Sequence, residues 1–477
     1  MPDNAAPRLR LVEAVFYERP VKLRLPFRFG VVTLTEAPQA FVRARVRMQD
    51  GREGEGVAAE LLVPKWFDKS PELSHEDNFN QLRTSLAAAR RALMAAGENT
   101  PFGLSASVEA AHHAECAKRK LGGLVASFGL ALLDRAILDA LGRIESRTIF
   151  DLARANSFGL TAATAPDLAG FDFDKFVGSL APARSIHVRH TVGLVDALTR
   201  AETEGKRLND GLPESLEEAV GAYGHTHFKL KVNGDPVADV ERLARIAAVL
   251  DRAREPYFAT LDGNEQYGDV DAVTALWRRI GEEPRLARLK SSILFIEQPI
   301  ARSHALAKPV ESLSSEIFIE IDESDADIGT FPRARDLGYR GISSKACKGL
   351  YRALLNRARV AKWNAEAASE HFFMSAEDLT TQSGVAVQQD FAQALLVGAT
   401  HIERNGHHYV DGMAGAPDAE QGAFLAAHPD LYARTSGRVR LAIRDGRAAL
   451  GSLHTTPGLA TGPLPDFSAM KEAPPKE

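Results

Sequence analysis

The chain has 477 residues, 45% of them hydrophobic and 25% charged, and a formal net charge of −5. This composition is typical of a globular protein larger than one ordinary domain, and the mild charge argues against nucleic acid or an anionic membrane as a partner. No apolar run approaches the ~20 residues that span a bilayer. Residues 1–4 show no signal pattern, and two cysteines, Cys116 and Cys347, are too few for a disulfide framework. We therefore expect a cytoplasmic protein.

Residues 1–165 open with alternating, strand-like stretches at 11–17 and 39–48, and the second ends at the turn Gln49-Asp50-Gly51. Helical patterns follow at 76–96 and 130–141, where apolar residues recur at helical spacing. Strands followed by helices predict a small α+β domain.

In residues 183–430, short apolar strands alternate with amphipathic helices, for instance at 236–250, 271–280 and 350–363. The predicted strands end near eight positions: His190, Lys231, Asp262, Glu297, Asp322, Lys345, Asp378 and Glu403. Strand–helix repetition over this length predicts a (β/α)8 TIM barrel, which we take as the catalytic domain.

Residues 431–477 form a third region, with a strand-like stretch at 439–443 and a turn at 444–447 that together predict a hairpin. The final residues are rich in proline and lysine. Because such a composition cannot bury enough apolar surface, we expect these residues to be disordered.

Charged residues recur at the predicted strand ends, where TIM barrels build their active sites. In chain order they are Lys229 and Lys231, Asp262 with Asn264, Glu297, Asp322, and Lys345. Successive positions are separated by 23 to 35 residues, close to one βα unit of ~30 residues. Such a regular series is hard to explain as surface decoration and indicates a site at one end of the barrel.

Two kinds of chemistry appear in this series. Alternation places Lys229 and Lys231 on one strand face, where each lowers the pKa of the other and favours a lysine base. The alternative is an exposed strand with two solvated lysines. The carboxylates Asp262, Glu297 and Asp322 offer only oxygen ligands, which favours Mg²⁺, or alternatively Mn²⁺, over Zn²⁺. Taken singly, each carboxylate could be a helix cap or a surface ion pair.

The series resembles the enolase superfamily, specifically the muconate lactonizing branch of the mandelate racemase and muconate lactonizing enzyme family. The residues that carry the resemblance are Lys229-Leu230-Lys231, Asp262-Gly263-Asn264, Glu297-Gln298-Pro299, Asp322-Glu323-Ser324 and Lys345-Ala346-Cys347-Lys348-Gly349. Outside the barrel, Pro26-Phe27-Arg28-Phe29-Gly30 is similar to the family's loop over the active site. Residues 445–447 and 457–459 are similar to its C-terminal return to the cap.

The resemblance implies a modified, enolase-like barrel beneath an α+β capping domain built from both terminal regions. It implies one Mg²⁺ on Asp262, Glu297 and Asp322, bound by a small carboxylate substrate. It further implies removal of the proton next to that carboxylate through an enediolate intermediate. Lys231 would act on one face of the substrate and Lys345 on the other, with Lys229 beside Lys231. We also expect a homo-oligomer.

Further contacts are expected around this centre, to the substrate or to the residues that hold it: Asn264, Gln298, Glu323, His190 and Phe27. On the seventh strand, either Ser375 with Glu377 or Ala376 with Asp378 faces inward. The stretch 61–67 is either a substrate-facing loop or part of the cap core. We expect Glu320 to pair with a barrel lysine, for which Lys229 is a candidate, Lys348 to be solvated, and Cys347 to serve packing. We expect the other histidines, such as His371, His407 and His408, to be structural or exposed.

Several activities remain open. Two opposed lysines permit a racemase or epimerase, a cycloisomerase, or a β-eliminating dehydratase, since each begins with the same proton abstraction. A barrel of another class would use a lysine as a Schiff-base nucleophile without metal. A third possibility is a non-catalytic relative of the family.

Overall fold

The computed structural model describes residues 6–30, 32–253 and 255–473. The predictions made for residues 1–4 and for the last four residues lie outside these ranges. No helix in the described ranges combines the length and apolarity needed to cross a bilayer.

The cap contains an antiparallel sheet of four strands in the order β16-β1-β2-β3, in which β16 (Lys471–Glu472) comes from the C-terminal region. Its first three strands are β1 (Leu9–Phe29), β2 (Val32–Met48) and β3 (Glu53–Leu61). Both predicted strands are present but longer, because β1 and β2 form one hairpin whose register runs from Leu9↔Met48 to Phe29↔Val32. Residues 27–30 therefore lie at the turn end of the hairpin, opposite the end at Leu9 and Met48.

Helices cover this sheet: α1 (His75–Ala95), α2 (Pro101–Lys118), α3 (Gly123–Glu145), α4 (Ile149–Arg154) and α5 (Phe173–Gly178). A capping box between Ser74 and Asp77 starts α1. The central helix α3 is buried over nearly its whole length. It packs so closely on β3 that a Cβ added to Gly56 would lie 2.2 Å from the carbonyl oxygen of Ala136.

The predicted barrel is present. Its eight parallel strands are β4 (Ser185–Val192), β5 (His227–Lys231), β6 (Phe258–Asp262), β7 (Ile293–Glu297), β8 (Phe318–Ile321), β9 (Gly341–Lys345), β10 (Phe373–Glu377) and β11 (His401–Arg404). Pairing of β11 with β4, in the register Glu403↔Arg189, closes the barrel. Strand ends agree with the predictions to within two residues.

The helices between and after the barrel strands are α6 (Leu216–Tyr223), α7 (Pro236–Leu250), α8 (Val270–Glu282), α9 (Ala287–Ser292), α10 (Glu311–Ser314), α11 (Thr330–Asp336), α12 (Leu350–Ala367), α13 (Val385–Leu396), α14 (Gly406–Tyr409) and α15 (Asp418–Ala427). The later strands are β12 (Tyr432–Thr435), β13 (Arg438–Leu441), β14 (Ile443–Arg444), β15 (Arg447–Ala449) and β16 (Lys471–Glu472).

The C-terminal region departs from expectation in two ways. The hairpin at 444–447 is formed by β14 and β15, and β15 pairs with barrel strand β4 rather than returning to the cap. The return comes later, where Leu459 donates its backbone N–H to Asp139 of α3 and β16 pairs with β1. The expected disorder is therefore wrong for residues 471–472, whose backbone pairs with the free edge of β1.

Candidate active site

The strand register explains why the charged residues meet. Lys231 lies opposite Asp262, and Asp262 lies opposite Glu297, on neighbouring parallel strands. On the far side of the barrel, Glu377 lies opposite Lys345. Since parallel strands in register end at one level, these side chains converge at the carboxyl end of the barrel.

Lys229 lies at the centre of this cluster and is buried. Its Nζ is 2.7 Å from Glu297 Oε2, 3.0 Å from Asp262 Oδ2, 2.9 Å from Glu403 Oε2 and 3.0 Å from Glu377 Oε2. Burial by itself lowers the pKa of Lys229, but these four carboxylates raise it well above its usual value. We expected the neighbouring Lys231 to lower the pKa of Lys229. This expectation is wrong, because the four carboxylates around Lys229 have the larger effect.

Lys231 and Lys345 lie on the second and sixth of the eight strands, and thus across the barrel from each other. Lys231 donates to Asp262 Oδ2, and its Nζ lies 6.0 Å from the ring centroid of Phe27. Lys345 donates to Asp322 Oδ2 at 2.6 Å and to Glu377, and its Nζ lies 5.2 Å from the ring of Trp66. Burial lowers the pKa of Lys345, but the charges of Asp322 and Glu377 outweigh it, so that the pKa is raised.

A narrow cavity of about 30 Å³ lies between the two lysines. It is lined by Lys229, Lys231, Lys345, Asp262, Asp322, Asn264, Asp378, Glu403 and Asn405, with an apolar rim of Phe27, Phe29, Val63, Trp66 and Leu379. The hairpin β1–β2 and the stretch 61–67 thus both supply wall residues. The stretch 61–67 faces the cavity through Val63 and Trp66, although its side chains also pack in the cap core.

Asp262, Glu297 and Asp322 are the predicted metal ligands, and all three are buried. Within the described ranges, Glu297 Oε2 and Asp322 Oδ1 accept no well-directed hydrogen bond. Ammonium groups lie near both oxygens, Lys229 at 2.7 Å and Lys348 at 2.9 Å, but at unfavourable angles. Unsatisfied carboxylate oxygens on neighbouring strands are the donors that Mg²⁺ prefers, so these residues fit the ion by their chemistry. Their oxygens do not all lie within 4.8 Å of one another in the described part of the chain, and an ion would have to draw them together. The lysine contacts would have to yield to it.

A second set of carboxylates was not predicted. One oxygen each of Glu297, Glu320 and Glu377 lie within 4.8 Å of one another. Burial, followed by the charges of Asp262 and Glu377, raises the pKa of Glu297 well above its usual value. The pKa of Glu377 is lowered, because Lys229, Lys345 and Arg189 outweigh its burial. Burial and neighbouring charges thus shift the pKa values of Glu297 and Glu377 in opposite directions.

The seventh strand β10 points Ser375 and Glu377 into the barrel. Glu377 accepts a hydrogen bond from Arg189 at 2.7 Å. Asp378 turns away toward the segment after β11, where it accepts from the backbone N–H of Asn405 at 3.1 Å and pairs with Arg404 at 3.1 Å. Asp378 still reaches the rim of the cavity, whereas Glu377 lies deeper, beneath Lys229 and Lys345.

The structure places the remaining predicted contacts unevenly. Phe27 and Asn264 line the cavity. Gln298 instead organises the next loop, since its Oε1 accepts from the backbone N–H of Asp322 at 2.8 Å and of Ser324 at 3.0 Å. Glu323 is buried, and its Oε1 accepts a hydrogen bond from Asn264 Nδ2 at 3.3 Å. The side chain of His190, on β4, packs against the rings of other histidines. These three are absent from the cavity wall.

Two expectations about neighbouring charges are wrong. Lys348 is buried rather than solvated, and it donates to the carbonyl oxygens of Asp322 at 2.9 Å and Ser343 at 2.8 Å. Glu320 accepts from Ser375 Oγ at 2.9 Å, and no ion pair with Lys229 forms among the described residues. Burial, with the nearby charge of Glu377, raises the pKa of Glu320 to about 8.

Sequence reasoning missed Glu403 and Arg189 as parts of the site. Glu403 reaches Lys229 and accepts from Thr191 Oγ1 at 2.7 Å. The sequence analysis named Glu403 as a predicted strand end but did not assign it to the site, and in the structure it lies one residue before the end of β11. Arg189 offered no comparable signal, because it lies in the middle of β4.

No protein-family model matches this sequence, and no curated protein matches it significantly. Solved structures do match. An enolase from Bradyrhizobium, complexed with magnesium and mandelic acid, has 16% identity and a TM-score of 0.59 over 97% of each chain. Muconate lactonizing enzyme from Pseudomonas fluorescens, complexed with muconolactone, has 16% identity and a TM-score of 0.57 over 98% of each chain.

A third similar structure is a dipeptide epimerase from Enterococcus faecalis, complexed with Mg and the dipeptide L-Leu-L-Tyr. It has 14% identity and a TM-score of 0.56, and the match covers 93% of this chain and 99% of the epimerase. The similar structures are enolase superfamily proteins of the mandelate racemase and muconate lactonizing type. At such low identity the likeness establishes the fold, and it confirms the predicted capped (β/α)8 barrel.

Proposed function

We propose that this chain is a Mg²⁺-dependent member of the enolase superfamily that removes the proton next to a substrate carboxylate, as a racemase, epimerase or cycloisomerase does. The observation that carries the proposal is the pair of buried lysines, Lys231 and Lys345, across one small cavity. Between their strands lie the three strands that bear Asp262, Glu297 and Asp322. A single-sided site would need only one such lysine.

The chemistry follows from these positions. Asp262, Glu297 and Asp322 would hold Mg²⁺, which stabilises the negative charge that develops on the substrate carboxylate. One of Lys231 and Lys345 would accept the proton from Cα as a neutral amine, and the other, when protonated, would deliver one to the opposite face. The carboxylates by themselves raise the pKa of Lys345, but the positive charge of a bound Mg²⁺ would oppose them and favour the neutral amine. Asp262 and Glu377 hold the two ammonium groups in place through the contacts described above. Lys229 compensates the charge of the buried acids.

The shape of the cavity limits the substrate. Its free volume of only about 30 Å³ restricts the site to a small substrate, and Phe27, Phe29 and Trp66 form an apolar wall on the cap side. We therefore expect a small carboxylate with an apolar substituent, the carboxylate facing the barrel and the substituent facing the cap.

Deuterium exchange tests the proposal directly. A panel of small chiral carboxylates incubated with enzyme and Mg²⁺ in D₂O should exchange the α-proton, detected by NMR. EDTA should abolish exchange and added Mg²⁺ should restore it. Lys231→Met and Lys345→Met should each lose exchange of one stereoisomer by at least ~10²-fold. Lys308→Met, at an exposed lysine, serves as the matched control.

Two outcomes would overturn the proposal. If both active-site variants exchange both isomers at the wild-type rate, the assignment of the lysines is wrong. If activity survives EDTA and borohydride traps a substrate adduct, the barrel uses a Schiff base instead. Loss of water from a β-hydroxy acid in the same assay would identify a dehydratase built on the same lysines.

A further inference from the structure

A second cluster of polar side chains lies away from the cavity, at the seam where the barrel closes. It contains His190 on β4, His225 just before β5, and His407 and His408 on α14. All four are buried, and each is at most 8% exposed. Burial of four imidazoles in one place is costly unless their nitrogens are satisfied.

Three of these rings point nitrogens at one another. His190 Nδ1 and His407 Nε2 are 3.0 Å apart. The ring centroids of His190 and His225 are 5.0 Å apart, and those of His225 and His407 are 5.1 Å apart. One nitrogen each of His190, His225 and His407 lie within 4.8 Å of one another. In a tetrahedral site, nitrogens bound at ~2.0–2.1 Å stand roughly 3.3 Å apart. His190 and His407 would therefore separate slightly from 3.0 Å, and any nitrogen pair that lies farther apart, up to 4.8 Å, would have to approach.

His225 is arranged as a ligand of this kind. Its Nδ1 lies 3.2 Å from the carbonyl oxygen of Val188, which fixes the proton on that nitrogen. Its Nε2 has no partner in the described part of the chain, although the residue is only 4% exposed. Metal-binding histidines characteristically donate the other ring N–H to a backbone carbonyl in this way.

The protonation state also suits a metal. Burial is the largest cause that lowers the pKa of His190, His225 and His407 well below the usual value, and proximity to other histidines lowers each further. These imidazoles are therefore neutral, the form that binds metal. Arg24, which donates to the carbonyl oxygen of His408, is itself paired with Asp210 and adds no net charge.

We propose that His190, His225 and His407 form a second metal site, for a nitrogen-preferring ion such as Zn²⁺. Three imidazoles favour Zn²⁺, Co²⁺ or Cu²⁺ over Mg²⁺, which prefers oxygen. Water can take the fourth position from the cavity of about 260 Å³ that His407 lines. The ion would join β4, the start of β5 and the segment after β11, and so fasten the barrel at its seam. This site is independent of the proposed reaction.

Cobalt binding tests the site. The protein is stripped with a chelator and titrated with Co²⁺ in excess Mg²⁺, which keeps the carboxylate site filled. We expect one Co²⁺ per chain with the intense visible absorption of tetrahedral nitrogen coordination, and competition by Zn²⁺. His225→Gln and His407→Gln should each weaken binding at least ~10-fold. His304→Gln, at an exposed histidine, should bind as the wild type does.

Zinc should also raise the melting temperature of the wild type and not that of His225→Gln, because a ligand bound only to the folded state stabilises it. Circular dichroism and Mg²⁺-dependent exchange activity establish that the variants are folded. The proposal fails if folded wild-type protein binds no Co²⁺ or Zn²⁺ at micromolar concentration. It also fails if binding is unchanged in both glutamine variants. Either failure leaves the proposed reaction intact, since Asp262→Asn would abolish exchange without touching the histidines.

Discussion

Asp134 is a buried acid outside the proposed active site. It lies in α3, where its Oδ2 accepts from Ser105 Oγ at 2.7 Å, and its Oδ1 has no partner among the described residues. Burial raises the pKa of Asp134 to about 8. The folded protein thus keeps this carboxyl protonated at neutral pH, whereas the unfolded chain ionises it near pH 4.

This difference predicts a pH-dependent stability. Between about pH 4 and pH 8 the folded state binds a proton that the unfolded state has lost, so the free energy of unfolding falls as pH rises, by at most ~1.4 kcal/mol per unit. Asp134→Asn, which mimics the protonated acid, should remove this slope and stabilise the protein at pH 8. Urea denaturation of both proteins at pH 5 and pH 8 measures it. Equal slopes for the two would contradict the prediction.

Individual residues also show how far the sequence alone leads. Lys229, Lys231, Asp262, Glu297, Asp322 and Lys345 could be selected because strand ends in a barrel share one level. The partners of Glu320 and Lys348 could not be predicted. The partner of Glu320 depends on which face of β10 points inward, and the partners of Lys348 depend on how the loop after β9 folds. Alternation shows that two faces exist but does not say which one points inward.

At the scale of elements, the contact between β3 and α3 is the closest in the cap. Gly56 faces the backbone of Ala136 and Ala140, and a Cβ there would also lie 2.2 Å from the backbone nitrogen of Ala140. The neighbour is helix backbone, which cannot move aside as a side chain can. The close packing of α3 on β3 therefore requires a residue without a Cβ at position 56.

Gly56→Ala should accordingly separate α3 from the sheet and lower the free energy of unfolding by ~1–3 kcal/mol or more. Gly221→Ala is the matched control, because no atom lies within 4 Å of a Cβ at this position in α6. That substitution should be neutral or stabilise by up to ~1 kcal/mol through helix propensity. Thermal unfolding followed by circular dichroism compares them, and equal effects would refute the packing argument.

The elements themselves were largely predictable. The alternation of short strands and amphipathic helices indicated all eight barrel strands, because parallel strands are buried on both faces and stand out as apolar runs. The long hairpin β1–β2 was underestimated, since its outer part at residues 18–38 carries charged and proline residues that mask the alternation. The pairing of β15 with β4 was not predicted, because the three residues of β15 are too few to show an alternation of apolar and polar side chains.

For the whole molecule, Arg302 forms one of the links between cap and barrel. Its guanidinium donates to the carbonyl oxygens of Trp66 at 2.8 Å and Phe67 at 2.9 Å, and to Glu265 at 2.8 Å. Lys69 adds a hydrogen bond to the carbonyl oxygen of Asn264 at 2.9 Å. The stretch that carries Trp66 into the cavity is thus held by the barrel itself.

Arg302→Ala should release this stretch. We expect faster trypsin cleavage at Lys65 or Lys69, a loss of ~1.5–3 kcal/mol in stability, and a fall in kcat/KM, because Trp66 no longer closes the cavity. Arg333→Ala, which breaks an exposed pair with Asp327, is the control and should change none of these by more than a small amount. Unchanged proteolysis and kcat/KM in Arg302→Ala would show that the stretch is held by its own packing.

The pairing of β16 with β1 has a consequence for biosynthesis. Tyr17 lies opposite Glu472, so the first strand completes its sheet with nearly the last residues described. At ~5–20 residues per second, a ribosome takes on the order of a minute to make the intervening chain. Throughout that time the edge of β1 is open, and an open edge is a template for aggregation. The nascent protein therefore depends on being shielded at this edge at least until residues 471–472 have been made.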